Sequence, residues 1–313
     1  MTRRFASLLG ILVFVLTACG SAASPFASPS TTAVPIASAA AFPVTLSDFQ
    51  ARSVTVQTRP LRIVSIGPSI TEFLFALGAG PRVGGADDFS DEPAAAKALE
   101  KVGGIKVNLE KVVTLRPDLV LSVKFSDGTI EKLTSAGLLV LVVDPQTAGD
   151  VARTATLLGR AVGAEGDALA RDIQKKVDDV RAKAATATAK PRVYHEIDAS
   201  DPTKIFTVGP GSFINDLIEI AGGTNVAAKA TSAYPQLSAE EILRADPEVI
   251  VLAAADYSAK PDQVAARAGW SAITAVKNKR FGSIAPSLID RPGPRVGEAA
   301  DAYARIVHPE LYR

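Results

Sequence analysis

Two distant stretches repeat one pattern of polar and apolar positions. "NLEKVVTLRPDLVLS" runs from Asn108 to Ser122 and "SAEEILRADPEVIVL" from Ser238 to Leu252, aligned without gaps at an offset of 130. Each opens on a residue suited to capping a helix N-terminus, Asn108 or Ser238. Ser238 with Glu241 has the spacing of a capping box. Each then reads as a short amphipathic helix, stopped by Pro117 or Pro247. Each ends in an apolar, β-branched run, Leu119 to Val123 or Val249 to Leu252, like a strand buried on both faces of a parallel sheet.

A second pair has the same order of signals. "RIVSIGPSITEFLFALGAG" (Arg62 to Gly80) parallels "KIFTVGPGSFINDLIEIAGG" (Lys204 to Gly223). Both read strand, Gly-Pro turn, serine-started helix, glycine stop. Ser69 with Glu72 gives another capping box, and Gly78 and Gly222 suit helix C-caps. Two pairs in one order predict two lobes of similar build. The first has about a dozen more residues between its motifs, around "ADDFSDEPAAAKALE".

Between the lobes lies "AEGDALARDIQKKVDDVRAKAATATAK", ended by Pro191. Leu169, Ile173, Val177, Val180 and Ala184 fall on one helix face, with charges around the rest. About 25 residues at 1.5 Å each span roughly 37 Å, enough to bridge two lobes along one side. A continuous helix resists bending, so the lobes are expected to move little on binding. Strands alternating with helices predict parallel sheets in both lobes. Ligands of such sheets bind at the carboxyl ends of strands, which puts the turns after Ile66 and Val208 in a cleft between lobes.

The amino-terminal segment has a different pattern. Arg3 and Arg4 precede a charge-free apolar run, Phe5 to Leu16, shorter than the roughly 20 residues of a membrane-spanning helix. A basic head, a short apolar stretch and small residues describe a secretion signal. Leu16-Thr17-Ala18-Cys19 resembles the lipobox of bacterial lipoproteins. That resemblance implies removal of residues 1–18 and a lipid on Cys19, the chain's single cysteine. Residues 20–43 are mostly Ser, Ala, Thr and Pro, without charge, which reads as a tether. The expected organisation is a signal (1–18), lipidated Cys19 and tether (19–43), a first α/β lobe (44–163), a linking helix (164–190) and a second α/β lobe (191–313).

The balance of 34 basic and 33 acidic residues gives no electrostatic reason to expect nucleic acid. With one thiol and two distant histidines, His195 and His308, a Cys/His metal site is not expected. No catalytic site is expected either. The chain lacks G-x-S-x-G, G-x-x-x-x-G-K-[ST] and H-E-x-x-H, and "GPGSFI" lacks the third glycine of a dinucleotide loop.

"RIVSIGPSITEFLFALGAGPRVGGADDFSDEP", "VGGIKVNLEKVVTLRPDLVLS", "VYHEID", "TVGPGSFINDLIEIAGGTN", "YPQLSAEEILRADPEVIVL" and "HPELY" together resemble the cobalamin and iron-complex binding proteins of ABC importers, across about residues 59–313. The resemblance implies two Rossmann-like α/β lobes joined by a long helix, acting as a monomer without a cofactor. It implies one large ligand between the lobes, a corrinoid first and a ferric siderophore or haem second. It also implies delivery to a permease dimer driven by a cytoplasmic ATPase, at the outer face of a membrane. Glu100 and Glu219 match the acidic residues through which the family docks. The ligand-binding candidates it implies are Pro68, Ser69, Phe89, Lys124 and Phe125 in the first lobe. In the second they are Glu196, Asp198, Phe206, Tyr234, Asp290, Arg291 and Arg295. Cobalamin binders of this family use several cleft tryptophans. Here Trp270 is alone and reads as a packing residue, with Phe89, Phe125 and Tyr234 as substitutes. Haem would take Tyr194, His195 or Tyr234 as iron ligand, and a siderophore would take Arg291 and Arg295. The alternatives of another class are a surface-anchored enzyme and a ligand sensor.

Overall fold

The computed structural model describes residues 41–201, 203–252 and 260–313. The signal, Cys19 and most of the tether lie outside them. Among the described residues no helix is long and apolar enough to cross a membrane.

The first lobe contains β1 (Val44–Ser47), β2 (Ser53–Val56), β3 (Ile63–Ile66), α1 (Pro68–Ala76), β4 (Val83–Ala86), β5 (Glu100–Lys101), α2 (Leu109–Thr114), β6 (Leu119–Ser122), α3 (Thr129–Ser135), β7 (Val140–Val142) and α4 (Ala148–Val162). Five strands form a parallel sheet in the order β5-β4-β3-β6-β7. β3, β6 and β7 are buried at every position, because helices cover both faces. The β1–β2 hairpin is separate and antiparallel, and its turn docks on β7 where Phe49 N–H donates to the Val142 carbonyl.

The bridge is α5 (Gly166–Ala184), which buries Ile173, Val177, Val180 and Ala184. It is shorter than the sequence pattern suggests. Nineteen residues rise about 28 Å, and residues 185–190 leave the helix ahead of Pro191, with Thr186 and Thr188 the weak helix formers among them. α4 and α5 meet tightly at their glycines: a Cβ on Gly159 would lie 2.4 Å from Gly166 Cα.

The second lobe follows with β8 (Arg192–Asp198), β9 (Ile205–Thr207), α6 (Phe213–Ile220), β10 (Thr224–Asn225), β11 (Gln236–Leu237), α7 (Ala239–Ala245), β12 (Val249–Leu252), α8 (Pro261–Ala265), α9 (Thr274–Lys277), β13 (Phe281–Ser283), α10 (Pro286–Ile289) and α11 (Val296–Val307). Its sheet order is β11-β9-β8-β12-β13, with β10 also on β8. This sheet is mixed, not parallel throughout. β8 returns directly into β9, and so short a connection permits only antiparallel pairing. One hydrophobic core runs through both lobes and the bridge, joining Ile63 and Leu121 to Ile173 and Val177 and on to Val193, Val251 and Tyr303.

The offset of 130 goes further than the quoted stretches. Ile63 pairs with Leu119 and Val193 with Val249. Arg62 donates to the Arg116 carbonyl and pairs with Asp118, while Arg192 donates to the Asp246 carbonyl and pairs with Glu248. Arg116 and Asp246 both have left-handed backbones ahead of their prolines. β8, not β9, is therefore the counterpart of β3. The dozen-residue discrepancy is the β8–β9 hairpin, which delays α6 and is offset by a shorter stretch between α6 and α7, so Arg192 to Ser238 spans as many residues as Arg62 to Asn108.

Candidate ligand-binding cleft

The carboxyl ends of β3, β6 and β7 face those of the second lobe's strands across a cavity of about 750 Å³. That volume lies within the range of small-molecule sites. Gly67, at φ 148°, turns the chain out of β3, and Pro68 begins α1 as its first residue. The side chain of Asp87 fixes this turn by accepting the Gly67 N–H at 2.8 Å. Ser69 therefore sits inside the helix rather than capping it, and the predicted Ser69–Glu72 capping box does not form. Proline is favoured at the first helical position, which moves the start one residue earlier. Glu72 is turned instead toward the second lobe. In α6 the expected cap is present, with Ser212 accepting the Asn215 N–H. Ser238 makes its capping box with Glu241.

Seven of the candidate residues line the cavity: Pro68, Ser69, Asp198, Phe206, Tyr234, Asp290 and Arg291. Phe206 and Tyr234 remain 38% and 52% exposed and give the wall two open aromatic faces. Burial pushes the Asp290 carboxyl up, and it raises the Tyr234 phenol together with the nearby Asp290 charge.

Five candidates stand off the wall. Glu196 is fully buried on the opposite face of β8, where Arg267 grips both of its oxygens at 2.6 and 2.8 Å and Tyr194 donates to it at 3.0 Å. Strand alternation explains this, since Tyr194 and Glu196 share one face and His195 and Ile197 the other. It also removes Tyr194 from the cleft. Trp270 packs edge-on against Tyr194, as a packing residue. Lys124 is exposed and Phe125 packs on the core behind the first sheet, leaving Val123 to face the cavity. Phe89 lies at the seam between lobes, where its carbonyl accepts from Arg291 at 3.1 Å. Arg295 is drawn away by Glu72, at 2.8 and 2.9 Å.

The arginines of the second lobe are thus already engaged. Arg291 reaches Asp91 at 2.7 Å and Glu72 at 3.4 Å. Among the described residues, Asp144, Asp198 and Asp290 on the cavity wall form no salt bridge. His195 also lines the wall, nearly fully buried, with Nδ1 hydrogen-bonded to the Tyr303 hydroxyl. Desolvation lowers its pKa to about 4, so the ring is neutral at physiological pH.

Sequence reasoning missed the loop after β7, where Val143, Asp144, Pro145 and Gln146 reach the cavity. The run "VLVV" before Asp144-Pro145 marks a strand end, and the carboxyl-end rule applied to β3 would have found it. Phe213 and Ile214, at the start of α6, had no such signal. Both predicted docking residues are exposed. Glu100 lies on edge strand β5 beside Lys111, and Glu219 lies on α6, where it accepts from Asn215.

The periplasmic binding protein family matches residues 63–288. A Bacillus subtilis protein, an uncharacterised ABC transporter substrate-binding lipoprotein, is 35% identical over 87% of this chain and 88% of its own. A cobalamin-binding protein of Halobacterium salinarum is 32% identical over 97% of this chain and 85% of its own. Among solved structures, the periplasmic heme-binding protein BhuT in complex with two hemes superposes with a TM-score of 0.73, at 26% identity, over 80% of this chain and 98% of that one.

Proposed function

This chain belongs to the periplasmic binding protein family, and we propose that its cleft holds one corrinoid of the cobalamin type, bound without chemistry. Members of the family are solute-binding proteins, not enzymes, and this one is the substrate-binding protein of an ABC transporter. The observation that carries the ligand assignment is the charge of the wall. Arg291 is neutralised by Glu72 and Asp91 and Arg295 is turned to Glu72, while Asp144, Asp198 and Asp290 form no salt bridge among the described residues; Asp198 accepts from Ser200 and Asp144 from Gln146, and each carboxylate keeps further lone pairs for a ligand donor. Such a wall suits a large ring edged with carboxamide N–H donors. It repels the carboxylates of haem and of anionic siderophores, which need free cations. Phe206 and Tyr234 supply apolar faces for a flat ring. A titration of the chain with cyanocobalamin, followed by absorbance, tests the reading. Saturable one-to-one binding that weakens at least tenfold, about 1.4 kcal/mol, in Tyr234→Ala supports it. Binding that is absent, or indifferent to Tyr234, opposes it.

Haem is the second reading, carried by His195. A neutral imidazole on the cleft wall, oriented through its other nitrogen, is the arrangement that prepares a metal ligand. It requires a haem absorbance band that is lost in His195→Ala.

Delivery completes the proposal. Cys19 carries lipid at the outer face of a membrane, and the body passes its ligand to a permease dimer with a cytoplasmic ATPase. Glu100 and Glu219 guide docking, one from each lobe. Exposed charges of this kind set orientation and encounter rate more than affinity.

A further inference from the structure

The amino-terminal ends of the first lobe's strands carry an arginine cluster that the cleft does not use. Arg59 and Arg62 flank Leu61 ahead of β3, Arg82 precedes β4, Arg116 precedes β6, and Arg160 lies in the last turn of α4. Contacts draw them onto one pole. Arg82 Nη1 donates to the carbonyls of Pro60 and Val162 at 2.7 and 2.9 Å, and Arg62 Nε donates to that of Arg116 at 2.7 Å. Arg59, Arg62, Arg116 and Arg160 are exposed. The carboxylates nearby in the chain include Asp118, paired with Arg62, Glu165 ahead of α5, and Asp167 in the first turn of α5, which accepts from Thr156. Leu61 is 67% exposed among these guanidiniums.

A general preference for bases at helix C-termini accounts for Arg160 and Arg82, which sit at the end of α4. It does not account for Arg59, Arg116 or the bare leucine. A second observation concerns Phe42, in the segment ahead of β1. A Cβ on Gly163 would lie 3.1 Å from Phe42 Cε2 and 3.4 Å from Arg59 Cγ, so the chain enters the body on this same pole, with forty residues preceding it.

We propose that this arginine pole, with Leu61 at its centre, is a membrane-contact surface that rests on anionic lipid headgroups. Basic side chains around an exposed apolar residue match an interface of anionic headgroups over acyl chains. The cleft lies at the opposite, carboxyl ends of the same strands, so the contact leaves it open to ligand. The inference needs membrane proximity but not the corrinoid assignment.

The test is co-sedimentation of the mature chain carrying Cys19→Ser, which removes any lipid. The vesicles are mixed phosphatidylglycerol–phosphatidylcholine or phosphatidylcholine alone. Retention is expected on the mixed vesicles only, weakening as salt rises. Each arginine near an anionic surface contributes roughly a fivefold change in partitioning. Arg59→Glu/Arg116→Glu/Arg160→Glu should therefore reduce retention by at least tenfold. A matched control, Arg181→Glu/Lys183→Glu/Lys190→Glu, should leave it within about twofold of the parent. Equal retention on both vesicle types overturns the proposal. So does a first triple variant that sediments like the parent while keeping its circular dichroism, or a control variant that falls equally.

Discussion

Removing the Glu72 carboxylate tests how the two lobes are held together. Glu72 lies on α1 of the first lobe with its side chain only 4% exposed, and accepts from Arg295 at 2.8 and 2.9 Å and from Arg291 at 3.4 Å. In Glu72→Ala, two guanidiniums of the second lobe lose their shared anion. Truncating one partner of a buried ion pair costs about 3–5 kcal/mol. Arg291 keeps Asp91 at 2.7 Å and Arg295 keeps the Ser287 carbonyl at 2.6 Å, which places the loss near the low end, about 3 kcal/mol. One core runs through both lobes, so the body should unfold in a single step. At this size each kcal/mol moves Tm by about 2 °C, and the expected drop is about 6 °C. Urea unfolding of Glu72→Ala, Arg295→Ala and the double variant gives the coupling directly, expected above about 1 kcal/mol. A Glu72→Ala variant within about 0.5 kcal/mol of the parent, or a coupling near zero, would refute this account of the lobe seam.

Other expectations follow from the same geometry. His195 has a folded pKa lowered from 6.5 to about 4, so its stability contribution is present above the unfolded pKa and lost as pH falls through the folded one. The parent should lose up to roughly 3 kcal/mol between those values, and His195→Gln should flatten that part of a urea-midpoint profile. Asp290 has a raised pKa, so its protonated form is the one that favours folding, and that contribution is lost as pH rises through the folded value. Asp290→Asn should be more stable than the parent at neutral pH, by about 1 kcal/mol or less, with the gain vanishing below the ordinary carboxylate range. Glu100→Ala/Glu219→Ala should cut cellular uptake about tenfold while leaving ligand affinity within twofold; unchanged uptake removes the docking role. With α5 unbroken from Gly166 to Ala184, solution scattering should show little compaction on saturation with ligand, and a large one would contradict the rigid bridge.

The repeat was legible because backbone chemistry repeats with it: caps, prolines and buried strand runs are local signals, and they place β6 and β12 within a residue. The β8–β9 hairpin was not legible in kind. Its short return made a mixed sheet and misaligned one strand pair, since a strand's direction depends on its partner and not on its own sequence. The cleft was half legible for a similar reason. Turns after strands pointed to Pro68 and Ser69, while the face of Glu196 was fixed by strand phase and a distant Arg267. Glu72 shows the limit most clearly. Its spacing from Ser69 suits a cap, yet Arg295, remote in sequence, competes for the carboxylate and wins it by charge.

The acidic, arginine-neutralised cleft is proposed to select a corrinoid. The most direct measurement is side-by-side calorimetric titration of the mature chain with cyanocobalamin, haem and an anionic ferric catecholate siderophore. The account predicts one-to-one binding of cyanocobalamin at about micromolar affinity or better, at least a hundredfold tighter than either competitor. Tighter binding of haem or the siderophore would contradict it and return His195 or Arg291 to the centre of the site.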